Sequence, residues 1–163
     1  MTLDPIKVEM YLQQMRERQN LARGIGAGAV AAVLSAFGWV LIALITRHHL
    51  GLAALGVGYV VGYAIREYGL GMEPPFRVAG ALLSLLGCLL GDVLELALGT
   101  SLAMDISVLQ ALHREFMDRT ALAETYAAIF RPMEIIFFCI AAFEGYKFSR
   151  RKLRLQDMKD LTT

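Results

Sequence analysis

The sequence predicts an all-α integral membrane protein: a four-helix bundle with one amphipathic helix ahead of it and a second between the third and fourth spans. Three observations carry this expectation. Apolar side chains make up 56% of the 163 residues and charged ones only 19%, and mean hydropathy is positive, outside the usual soluble range. Four separate apolar runs approach the roughly 20 residues that carry a helix across a hydrocarbon core of about 30 Å. The basic residues cluster in the leader, in the connection between the second and third runs, and at the C-terminal end. The runs do not alternate polar with apolar, and an open sheet leaves its edge hydrogen bonds unmet in lipid, so strands are excluded.

Residues 1–24 form the first element. Asp4 is placed to cap a helix and Pro5 to take its first position; Val8, Tyr11, Leu12 and Met15 then share one face, with Lys7, Glu9, Arg16 and Glu17 on others. The expectation is a cytoplasmic helix lying on the membrane surface. The spans follow at about 25–45, 50–65, 78–98 and 133–148. The first is long and follows two dozen mostly polar residues, a poor match to a signal-peptide core. Residues 99–130 place Ile106, Leu109, Leu112 and Phe116 at helical spacing among Asp105, Gln110, His113, Arg114 and Asp118, which predicts an external amphipathic helix. Pro132 opens the fourth span, and residues 149–163 are a basic cytoplasmic tail suited to anionic head groups.

With both termini cytoplasmic, twelve of the sixteen basic residues lie inside; Arg47, Arg114, Arg119 and Arg131 lie outside. This is the asymmetry expected of an even number of spans. A net charge of +1, with sixteen basic residues against fifteen acidic ones, argues against nucleic-acid binding. Cys88 and Cys139 fall within apolar runs without zinc or disulfide spacing and read as reduced packing residues. The chain has no G-x-S-x-G, no H-E-x-x-H and no phosphate-binding loop, so no catalytic residues, enzyme activity or cofactor are expected.

In lipid, helices associate through close packing of small residues. Gly58 and Gly62 in the second span, and Gly87 and Gly91 in the third, are each four apart and supply such strips. They suit packing within the chain or a homo-oligomer seam. An ionisable group inside a span turns toward the bundle and finds a partner, so Arg66, ending the second span, is expected to pair with Glu144, near the end of the fourth. On the third span Ser84, Cys88, Asp92 and Glu95 follow steps of four, four and three, a polar stripe leading outward, and Glu134 belongs to the same outer half. Asp92, Glu95, Glu134 and Ser84 are therefore the ion-pathway candidates. His48 and His49, external in this topology, are a weaker candidate for metal ligation.

The segments "VGYAIREYGLG", "FRVAGALLSLLGCLLGD" and "FEGYKFSRRK" together resemble a family of small bacterial four-span inner-membrane proteins of unassigned function. The matching positions are Arg66, Gly87, Cys88, Gly91, Pro132, Glu144, Gly145 and Tyr146, within residues 52–149. The resemblance implies a bacterial inner-membrane setting and leaves activity open. Some of that family carry a zinc ribbon ahead of the spans, which two cysteines cannot build. Two functions are then expected: an oligomeric channel or transporter for a cation or proton, using the outer acids, or a non-catalytic membrane scaffold that docks a partner protein.

Overall fold

The computed structural model describes residues 5–46, 53–117, 120, 123, 127 and 132–151. It is all-α. Along the chain come α1 (Pro5–Glu17), α2 (Leu21–Thr46), α3 (Ala53–Gly69), α4 (Pro74–Met104), α5 (Val108–Met117) and α6 (Pro132–Phe148). Helix starts follow local chemistry. Asn20 caps α2, its side-chain oxygen accepting the Arg23 N–H at 2.9 Å. Two prolines open α4, where a missing N–H costs nothing. The stops are less conventional: Leu70 after α3 and Asp105 after α4 both adopt positive φ, 52° and 53°. The Asp105 N–H bonds back to the Ser101 carbonyl, an αL stop in which an aspartate stands where glycine is commonest.

Helices α2, α3, α4 and α6 pack together, with α2 and α6 each against both α3 and α4. Their register shows how they run. Gly24 and Gly28 of α2 lie beside Ile65 of α3, with Gly24 also against Gly69, so these two helices are antiparallel. Gly87 of α4 meets Ala32, and Gly91 meets Trp39, so α2 and α4 are parallel; Gly58 and Gly62 meet Ala141 and Gly145, so α3 and α6 are parallel as well. The four helices thus alternate up and down in chain order.

The bundle is inverted relative to a soluble one. On α4 the buried positions include Gly80, Ser84, Gly87, Cys88 and Gly91, while Leu82, Leu86 and Leu90 are exposed. On α2 the buried positions are Gly24, Gly28, three alanines and Trp39; Val30, Leu34, Phe37 and Leu41 face outward, each at least 58% exposed. Small residues are inside because the backbones approach closely. A Cβ on Gly28 would stand 2.6 Å from Ile65 Cγ1, and one on Gly58 would stand 2.5 Å from the Ala141 carbonyl oxygen. Val61, Ile65, Phe76, Cys88 and Phe138 fill what space remains.

Two helices among the described residues, α2 and α4, are long and apolar enough to cross a membrane. Helices α3 and α6 have 17 residues each, about 25 Å at 1.5 Å per residue. Several expected boundaries move. The leading helix stops at Glu17 rather than running to residue 24, because the chain turns at Asn20 and α2 begins at once. Helix α3 continues past Arg66 to Gly69. Helix α4 runs to Met104, six residues beyond the expected end of the third span, and takes in the start of the segment read as external. Within that segment α5 folds back on α4: the Thr100 hydroxyl donates to Glu115 at 2.9 Å.

Candidate functional site

The polar stripe read on the third span lies on one face of α4, but its members do different things. Ser84 is fully buried and its hydroxyl donates to the Gly80 carbonyl at 2.7 Å. A Cβ on Gly145 would run into its Oγ, so Ser84 closes the α4–α6 contact. Its hydrogen bond is local, and the residue serves packing. Cys88, one turn further out, is fully buried in the core. The polar chemistry therefore begins at Asp92.

Three acids converge there from two helices. Asp92 is half-buried; its Oδ2 is fully enclosed and makes no hydrogen bond. It lies in the field of Glu134, from the first turn of α6, and of Glu95, from its own helix. Glu95 is held in place: the indole N–H of Trp39 on α2 donates to its Oε2 at 2.8 Å. Trp39 is 5% exposed and packs closely on Gly91, where an added Cβ would stand 3.2 Å from the indole Cγ. Asp92 thus shares its surroundings with Glu95 and Glu134; Ser84 lies apart, tied into the packing below them.

Trp39 was not anticipated. The signal was present, since it is the single tryptophan of the chain and a buried indole N–H needs an acceptor. The acceptor lies 56 residues away, at a pairing that only the α2–α4 register creates. Glu115 was also passed over: on α5 it is 7% exposed and bonds Thr100.

Arg66 and Glu144 do not meet. The Arg66 guanidinium bonds Glu67, with Nη2 to Oε1 at 3.2 Å, and lies over the Tyr63 ring, 4.7 Å from its centroid. Glu144 pairs with Lys147 one turn on, at 3.7 Å. The reason is depth. Glu144 sits against Gly58, two turns of α3 before Arg66 and thus about 12 Å from it along the axis. At the end of the bundle where α3 stops a different cation is half-buried: the Arg77 guanidinium covers the Tyr146 ring at 3.9 Å.

The four glycines expected at helix contacts are all there. Gly58 and Gly62 face α6, Gly87 faces Val57 and Ala32, and Gly91 faces Trp39. Among the described residues no group of three or more histidine, cysteine or carboxylate side chains is arranged to hold a metal ion. His48 and His49 lie outside the described residues, as do the tail from residue 152 and part of the segment ahead of α6. The site is therefore a carboxylate cluster, positioned by an indole, over a sealed small-residue core. No family model matches the chain, and neither a curated protein nor a solved structure matches it.

Proposed function

We propose that this chain is a four-span bacterial inner-membrane protein that takes up a proton or cation at Asp92, Glu95 and Glu134, as a subunit of an oligomeric channel or transporter. The membrane setting is supported by the inverted bundle: an outer surface of Leu82, Leu86, Leu90, Leu34 and Phe37 around glycine, alanine and serine is unfavourable in water and suited to lipid. Helices α3 and α6, at 17 residues, reach the lower end of the spanning range. Up-down alternation then puts the ends of α1 and α6 on the same side.

The observation that carries the function is the enclosed Asp92 oxygen without a donor, beside two further carboxylates. A buried polar atom left unpaired is costly, and a proton or cation arriving from the outer side removes that cost. The proton is the better fit, since it needs no ligand cage. A pathway through a single copy is blocked below Cys88, where Gly87 is packed against Val57 and Ala32. Conduction therefore runs along a seam between copies. The exposed α3 face, with Tyr59 and Tyr63 stacked at 6.1 Å between ring centroids, offers hydroxyls for it.

Proton flux into proteoliposomes tests this reading, comparing the parent chain with Asp92→Asn. Flux in the parent that falls at least about tenfold in the variant is expected if the carboxylate carries the proton; absence of flux in both rejects transport. The scaffold reading rests on α5, whose Leu109, Phe116 and Met117 are exposed, and it would be favoured by a stoichiometric membrane partner that is lost on Leu109→Glu.

A further inference from the structure

A cavity of about 280 Å³ lies at the opposite end of the bundle from the carboxylates, lined by Tyr11, Gln14, Met15, Arg18, Leu70 and Arg151. Its walls come from three parts of the chain. Tyr11, Gln14, Met15 and Arg18 follow steps of three, one and three, so α1 and the turn after it present one continuous face to it. Leu70 begins the α3–α4 loop, and Arg151 follows α6. These segments are fastened to one another by main-chain hydrogen bonds. The Asn20 N–H donates to the Gly69 carbonyl at 3.0 Å, and the Arg151 N–H to the Gly71 carbonyl at 2.9 Å. The Met72 N–H donates to the Gln19 side-chain oxygen at 3.1 Å.

We propose that this cavity is a binding site for a phosphate-bearing anion, gripped by Arg18 and Arg151. The lining contains two guanidinium groups and no carboxylate. No described residue forms a hydrogen bond or ion pair with either guanidinium, whereas Arg66 is taken up by Glu67 and Arg77 by Tyr146. Guanidinium forks match the oxygens of carboxylates and phosphates. A carboxylate presents one edge, while a phosphate presents oxygens in several directions, so two forks arriving from different chain segments suit a phosphate. The volume lies just under the range of ordinary small-molecule pockets, which selects one phosphate with a small substituent. Met15, buried, and Leu70, half-buried, add an apolar wall.

Two sources present this chemistry: the head group of an anionic phospholipid, reached where α1 meets the bilayer, or a soluble phosphate ester. The lipid source rests on the membrane reading above; the phosphate site itself does not. Binding to the full chain in neutral detergent micelles separates them with three probes: a short-chain phosphatidylglycerol, glycerol phosphate without acyl chains, and the matching diacylglycerol without phosphate. Saturable binding of one phosphatidylglycerol per chain, with glycerol phosphate much weaker, assigns the lipid; comparable binding of glycerol phosphate assigns the soluble ester. Arg18→Gln and Arg151→Gln are each expected to weaken binding about tenfold, as loss of a charged hydrogen bond does. Arg150→Gln, exposed and outside the lining, is expected to leave it within about twofold. Equal losses in all three variants, no loss in any, or diacylglycerol binding as tightly as phosphatidylglycerol overturns the site. Arg151 is anchored through its main-chain N–H, which its substitution retains, so that variant decides the matter even if Arg18→Gln fails to fold.

Discussion

Trp39 and Glu95 form the pair on which the geometry of the carboxylate cluster turns. The indole donates at 2.8 Å and its ring fills the space over Gly91, so one residue both seals the core and aims an acid. Trp39→Phe keeps most of the ring and removes the donor. The expected cost is about 1–3 kcal/mol, the usual range when a hydrogen bond to a partly buried charged group is lost, read as a lower unfolding temperature in detergent. A wild-type midpoint in that variant argues that Glu95 finds another donor. At the far end Tyr146 has a parallel role beneath Arg77. Tyr146→Leu is expected to cost about 1 kcal/mol through the lost cation–π contact, and Tyr146→Phe to retain most of it. These residues show where sequence reasoning stopped. The polar stripe Cys88, Asp92 and Glu95 was visible from spacing along one helix, but its partners Trp39 and Glu134 belong to others, and spacing carries no information about the register between helices.

Helix packing depends on glycines that are not equivalent. Gly58 stands against the Ala141 backbone, while Gly56, two residues away on another face, has nothing within 4 Å of the position a Cβ would take. Gly58→Ala is expected to destabilise the chain by at least about 1–3 kcal/mol, because a backbone oxygen must move to admit the methyl. Gly56→Ala is expected to be neutral or to stabilise by up to about 1 kcal/mol through helix propensity. Thermal unfolding of the two side by side checks this, and equal effects would argue against the α3–α6 contact. The glycine pattern located these contacts correctly. It did not say which helix each strip would meet. The Arg66–Glu144 expectation failed for the related reason that relative depth follows from where each helix starts and how the pair slides, and α6 places Glu144 level with Gly58.

At the scale of the whole molecule, the alternation of the four helices places Asp105 at one end and Arg150 at the other. In a cysteine-free background, Asp105→Cys is expected to react with an impermeant maleimide on intact cells and Arg150→Cys only after the membrane is opened; labelling of both from outside rejects the four-span topology. The helical class, the apolar runs and the grouping of small residues were determined by the sequence alone, because they follow from periodicity and from which side chains tolerate lipid or close backbone approach. Only the tertiary structure decided that α4 runs on to Met104 and that α1 stops short of α2. It also decided that Trp39 holds Glu95, that Ser84 is spent on packing, and that Arg18 and Arg151 share a cavity. Each of these depends on groups far apart in the chain being brought to one depth, and depth is set by side chains interlocking across helices rather than by the composition of any one of them.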